Sequence, residues 1–516
     1  MHELEQLVGL FVAAVVLAGA ARRVGAPYPV FLALGGAGLA FLPLDIHFAL
    51  PPELALALFV APVLLDAAFD TSVRDLRENW LPVAALVIVA VGLTTVAVAL
   101  VTRTLMPSMP FAAAIALGAI VAPPDAVAAT AVLRPLRPPQ RLLTILEGES
   151  LLNDASALLI YRLAVGAVVA GGFSASVVAP TFLVAVAGSL VAGPMLAWVT
   201  LKWISYVEHV PTAIILQFVS TFGVWMLAER IGLSAVLTMV CYAVTLAREA
   251  PARMPARLRV PTYAVWETVV FAINILAFIF IGLQIRPILD ALAPGEIGRY
   301  LWLAATVLAT VIVVRIAWVM TLNTVVGWWL RRKGCHPRRE KMRPTVASGV
   351  IVSWAGMRGI VSLAAALALP AGFPFRDLIV LTAFAVVLGT LVIQGLTLKP
   401  LMRALKVRDD DPVGREVIAA REHALKAGLA MLADEDSAAA HPVRHELTVH
   451  LVGSTADGGH SPSVALHHEL HRRALAAARQ AVLDLRTSQA IGDDAFHLIE
   501  EELDWLEMAS RKNDDG

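Results

Sequence analysis

From Gln6 to Leu401 the chain is a succession of apolar runs separated by short polar punctuation. A membrane-crossing helix needs about 20 largely apolar residues, and thirteen segments approach that requirement. They centre on residues 6–21, 28–44, 50–68, 81–102, 110–131, 145–170, 176–204, 211–228, 232–247, 263–284, 300–328, 346–369 and 378–401. In hydrocarbon every backbone N–H and C=O must find a partner inside the protein. The pattern therefore predicts an all-α polytopic membrane protein of about thirteen transmembrane helices. Charged residues make up 16% of the chain and hydrophobic ones 58%, whereas soluble domains carry about 25% charged residues. The polar share rises only from about Lys406 onward. Residues 1–405 are expected to form the membrane domain and 406–516 a helical cytoplasmic tail.

Charge placement sets the expected orientation. With the N-terminus outside, the inner loops hold nineteen Lys and Arg residues. The outer loops hold five, namely Arg103, Arg230, Arg286, Arg299 and Arg376. Positive residues accumulate on the cytoplasmic side, so an odd number of spans with the C-terminus inside fits the bias. The start, Met-His-Glu-Leu-Glu, is acidic where a signal peptide would be basic, so the first run reads as a membrane helix. Zero formal net charge offers no case for nucleic acid, and Cys241 and Cys335 give no disulfide framework.

Charges at membrane depth are costly and mark ion or substrate paths. This chain has Asp66, Asp125, Glu147, Glu149, Asp154, Arg162, Glu267, Arg315 and Arg358 there. Arg162, Glu147 and Glu267 are near enough to span ends to reach an interface; Asp154 and Arg358 are not. In Glu147-Gly-Glu-Ser-Leu-Leu-Asn-Asp154, residues Ser150, Asn153 and Asp154 share a helix face. They offer a hydroxyl, an amide carbonyl and a carboxylate, the oxygen ligands of a hard cation. In Val121-Ala-Pro-Pro-Asp125 two prolines interrupt a span, because each lacks a donor and clashes with the preceding turn. Asp125 stands at that break, where the following helix N-terminus favours an anion; the alternative is a plain kink. In Ser353-Trp-Ala-Gly-Met-Arg-Gly359 two glycines flank Arg358, and their conformational freedom suggests a second broken helix. Arg358 needs a carboxylate, with Glu149 as the expected partner. If spans 1–6 and 8–13 are two inverted six-helix repeats, the two discontinuous helices occupy corresponding positions, a pointer to a transporter site near the bilayer midplane.

At these residues the chain resembles the bacterial sodium/proton antiporters of the monovalent cation:proton antiporter-1 family, to which the animal sodium/proton exchangers also belong. The carrying motifs are Pro124-Asp125-Ala-Val-Ala, Gly148-Glu-Ser-Leu-Leu-Asn-Asp154, Trp266-Glu-Thr-Val-Val-Phe-Ala-Ile-Asn274 and Gly356-Met-Arg-Gly359. The resemblance implies a bacterial inner-membrane homodimer with a mobile core crossed by two broken helices. It implies Asp154 as the carboxylate that holds cation or proton, with Ser150, Asp125 and Asp66 near the ion. Asn153 would be the neutral partner that steadies the break near Pro124, as in the electroneutral class. Glu149 and Arg358 would form the core ion pair. Pro124 departs from the threonine of many relatives and leaves a backbone carbonyl at that point. The expected substrates are Na⁺ (or Li⁺) and H⁺, with no cofactor and no enzymatic activity. A K⁺/H⁺ antiporter on the same scaffold stays open. A channel finds no filter-like repeat, and an aspartyl hydrolase using Asp125 and Asp154 fits Asn153 poorly.

In the tail, 419–432, 464–485 and 493–508 read as amphipathic helices and 453–463 as a loop. His467 and His471 lie one turn apart, a spacing that suits a metal but lacks a third ligand, so a solvated face is the expectation.

Overall fold

The computed structural model describes residues 2–24, 26–42, 51–136, 138–169, 175–292, 295–333, 345–407, 412–435, 437–455, 462–488, 499 and 502–506. All regular elements among them are helices. The chain forms two compact units, Met1–Arg408 and Asp409–Gly516.

The first unit opens with α1 (His2–Val24), α2 (Tyr28–Ala40), α3 (Pro52–Asp70) and the short α4 (Val73–Glu78). Then α5 (Trp80–Ala84) runs through a π turn at Ala85–Ala90 into α6 (Val91–Leu105). The first broken helix follows as α7 (Phe111–Val121) and α8 (Ala126–Leu133). Four long helices come next, α9 (Gln140–Val169), α10 (Ala175–Ile204), α11 (Val210–Arg230) and α12 (Ala235–Arg253). After α13 (Ala256–Leu283), α14 (Ile285–Asp290) and α15 (Ile297–Lys333), the second broken helix is α16 (Val346–Trp354) with α17 (Ile360–Leu367). The unit ends with α18 (Arg376–Ala404). Among the described residues, eight helices are long and apolar enough to cross a membrane. Of the five other expected spans, α2 and α3 are short apolar helices and α16 with α17 is a helix in two halves, while α1 and α12 are helices outside the eight.

Small residues let backbones meet where side chains would hold them apart. A Cβ on Gly36 of α2 would strike the carbonyl of Ile279 on α13, and one on Gly282 would strike Ala33 and Ala37. The main core gathers α6, α7, α9, α15 and α18; a second cluster gathers α3, α11 and α12. Trp266 stacks on Phe218 with ring centroids 4.3 Å apart and donates its indole N–H to Gln217, 2.8 Å.

The second unit has α19 (Pro412–Met431), α20 (Ala440–Thr455) and α21 (Pro462–Thr487). The middle helix was not foreseen; 440–455 holds three histidines and has little apolar periodicity to betray it. Helix α21 carries the positions of His467 and His471, but the side chain of His467 lies outside the described residues, as do Cys335 and most of 493–508.

Candidate ion site

Both helix breaks form where chain chemistry requires them, and they meet. After Val121, Pro123 and Pro124 can donate no backbone hydrogen bond, and Asp125 adopts an extended conformation (φ −101°, ψ 116°) as the N-cap of α8. Its carboxylate accepts from the N–H of Val127, 2.8 Å. Its own N–H donates to the carbonyl of Met357 in the second break, 2.6 Å, so the two unwound stretches are stitched backbone to backbone.

Arg358 serves this crossing and corrects the expected pairing. Its guanidinium donates to the carbonyls of Val121 (3.0 Å), Ala122 (3.2 Å) and Gly356. Its backbone N–H donates to the hydroxyl of Thr390, 3.0 Å. The carbonyls that end α7 have lost their helical donors and carry partial negative charge, so a cation there satisfies several orphans at once. Glu149 is bound by Arg315 of α15 instead. The pair is bidentate at 2.6 and 2.9 Å, and Arg315 also donates to the carbonyl of Val352 in α16, 3.1 Å. Exposure is 3% for Arg315 and 1% for Glu149. Arg315 lay among the intramembrane charges without a role. The signal was there: it stands on the stripe Leu303, Val307, Val311 and Val319, apolar at every fourth position and buried.

The glycines around Arg358 act by their size, a second correction. Neither has a left-handed φ. A Cβ on Gly359 would run into the Asp125 carboxylate, and one on Gly356 into the Arg315 guanidinium.

Beside the crossing lies a cavity of about 270 Å³. Asp66, Asp125, Ser150 and Asp154 line it, all four anticipated; Pro124 and Asn153 do not. Helix α9 supplies Glu147, Ser150 and Asp154 at three- and four-residue steps, a column down one face. The Ser150 hydroxyl accepts from the N–H of Ala126, 3.2 Å, and so helps cap α8. The Asn153 amide donates to the carbonyl of Pro124, 2.9 Å. The steadying contact expected of Asn153 is thus present, and the Pro124 carbonyl is engaged by it rather than turned into the cavity. Asp154 is 9% exposed. Among the described residues its carboxylate receives no hydrogen bond and no ion pair, and its surface opens on the cavity. Sequence reasoning missed the walls supplied by Tyr28, Thr130 and Arg134, and used Asn274 only as part of a motif. Arg134 pairs with Glu147 at 3.1 Å. Arg162 snorkels to Glu229, 3.4 Å, and Glu267 is exposed on α13.

The family model for the transmembrane sodium/hydrogen exchangers matches residues 10–404. A protein of Mycobacterium tuberculosis named as an uncharacterized Na⁺/H⁺ exchanger is 33% identical over 521 residues, covering 96% of this chain and 94% of its own. The low-affinity Na⁺/H⁺ antiporter NhaS1 of Synechocystis is 30% identical, over 80% of this chain and 76% of its own. A sodium, potassium, lithium and rubidium/H⁺ antiporter of Bacillus pumilus is also 30% identical, over 74% of this chain but 58% of its own. In fold, the chain matches the sodium proton antiporter MjNhaP1 of Methanocaldococcus jannaschii with a TM-score of 0.59 at 17% identity, covering 79% of this chain and 99% of that one. With the broken-helix crossing and the carboxylate cavity, these matches place the chain in the family of transmembrane sodium/hydrogen exchangers, multi-pass membrane proteins that exchange a cation for protons.

Proposed function

We propose that this protein exchanges Na⁺ for H⁺ one for one, by competition of the two ions for Asp154. The observation that carries the proposal is a buried carboxylate facing a cavity without a protein hydrogen bond or counter-ion among the described residues. Buried charges are ordinarily paired; this one is left to an exchangeable partner. Ser150, Asp125 and Asp66 add oxygen ligands along the same wall. One carboxylate cannot hold a cation and a proton together. A bare anion is arrested by its desolvation cost, so only the loaded or protonated form crosses the apolar barrier. Alternation of access then gives obligatory exchange. Asn153 stands where a second aspartate would sit directly beside Asp154, the pattern of electroneutral exchange.

Around this centre the proposal places thirteen spans in two inverted six-helix repeats, with α7–α8 and α16–α17 as the corresponding broken members. It also places the N-terminus outside, the tail in the cytoplasm, and the protein as a homodimer in a bacterial inner membrane. The Bacillus pumilus relative, named for potassium and rubidium as well as sodium, favours a second reading in which K⁺ is also carried. The deciding experiment is dequenching of a pH dye in proteoliposomes with Li⁺, Na⁺, K⁺ and Rb⁺ added in turn, for the wild type and Asp154→Asn. The variant is expected to lose cation-dependent proton movement; retained exchange removes Asp154 from the centre.

A further inference from the structure

A second cavity, of about 320 Å³, opens at the end of the bundle where α9 and α16 begin and α15 and α18 end. It lies apart from the ion site and has the opposite electrostatic character. Among the described residues its charged lining residues are Arg141 and Lys406, and no carboxylate lines it. Arg141 is half-buried and makes one hydrogen bond among the described residues, from Nε to the side-chain oxygen of Asn79, 3.2 Å. Its terminal guanidinium nitrogens have no acceptor among the described residues, and no acid pairs with it. Compare Arg134, Arg162, Arg253 and Arg315, each of which meets a glutamate. Arginine cannot shed its proton to relieve burial, and a partly desolvated cation without a counter-ion is costly. Among the described residues nothing supplies the compensating charge, which leaves the site open to an external anion.

The remaining walls say what kind of anion. Most of the rest is apolar, with Leu86, Leu142, Ile145, Val319 and Val352 among the lining residues. The hydroxyls of Thr345 and Ser348 are occupied in capping α16. An inorganic ion would use the cations and leave this apolar surface bare. A guanidinium fork matches phosphate geometry, and lysine adds a point charge. Basic pockets between membrane helices on the side of the positive loops take anionic lipid head groups.

We propose that this cavity binds a phosphate-bearing anionic amphiphile, an anionic phospholipid of the adjacent leaflet. Its head group lies between Arg141 and Lys406 and its chains follow the apolar wall. Such a ligand ties α9, which carries Asp154, to α16, which leads into the crossing. The site stands independently of which cation is transported.

The test uses the full-length protein in detergent, with thermal melting followed by tryptophan fluorescence. Phosphatidylglycerol, phosphatidylcholine and inorganic phosphate are each titrated. Phosphatidylglycerol is expected to raise the melting temperature saturably, and the other two are not. Arg141→Gln and Lys406→Gln should each weaken half-saturation by roughly tenfold, the loss of one charge-assisted contact. Arg141→Lys should recover part of the effect. Lys406 is exposed, so its variant folds even if Arg141→Gln does not. An equal rise with phosphatidylcholine, a rise with inorganic phosphate alone, or an undiminished response in both glutamine variants overturns the proposal.

Discussion

The pairing of Glu149 with Arg315 rather than Arg358 can be measured as a coupling energy. Replacing Arg315 by Met keeps much of its volume and removes two hydrogen bonds to Glu149 and one to the Val352 carbonyl. Glu149, 1% exposed, is then a buried charge without its bidentate partner. Breaking one half of a buried pair costs about 3–5 kcal/mol, while replacing both halves by apolar residues is often neutral. Arg315→Met alone should therefore be strongly destabilising, and Glu149→Leu combined with Arg315→Met should recover most of the loss. Arg358→Gln removes bonds to three carbonyls and should destabilise by a comparable amount for a different reason. It should couple weakly to Glu149→Leu, because no hydrogen bond joins them. Double-mutant cycles read as free energies from stepwise SDS denaturation in mixed micelles give both coupling terms. A direct pair should show a coupling of at least about 3 kcal/mol, because each single variant strands a buried charge and the double variant strands none. A coupling for 149 with 358 as large as that for 149 with 315 would refute the assignment.

Three further outcomes follow from the site. Gly359→Ala should cost about 1–3 kcal/mol as an overpacked contact and abolish most exchange, since its methyl meets the Asp125 carboxylate. Gly38→Ala, where an added methyl meets no neighbouring atom within 4 Å, is the neutral control in the same transport assay. Competition predicts that the apparent KM for Na⁺ rises as pH falls, by up to about tenfold per pH unit where Asp154 is mostly protonated, with kcat nearly constant; a KM independent of pH in proteoliposomes excludes one shared site. One-for-one exchange predicts initial rates unchanged by an imposed valinomycin potential, and a clear response would require a second transported charge.

How much of this was legible in the sequence depends on how local the cause was. Helix breaks at Pro123–Pro124 and around Gly356–Gly359 follow from chemistry confined to a few residues, and both were visible. Placement of Asp154 and Ser150 on one face of α9 needs only the helical repeat. The partner of Glu149 was of another kind. Arg315 and Arg358 are both distant in sequence, and choosing between them requires knowing that α7 ends in unpaired carbonyls facing Arg358. That is a property of the crossing, not of either segment. The same holds for Gly359, whose flexible backbone was the obvious reason for its presence, while the actual one is a carboxylate from 234 positions earlier in the chain (359 − 125).

The crossing also explains why one acid among several, Asp154, has no hydrogen bond or ion pair among the described residues. Asp125 caps α8, Ser150 accepts from Ala126, Asn153 holds Pro124 and Glu149 is gripped by Arg315. Asp125, Ser150 and Asn153 each spend a bond on the broken backbone, which matters because orphaned carbonyls would otherwise compete for a cation. A carboxylate that shared in this bracing would exchange its partner only by loosening the fold. Among the described residues Asp154 takes no part in it, which in the proposed cycle lets it trade a cation for a proton while the frame around it stays bonded.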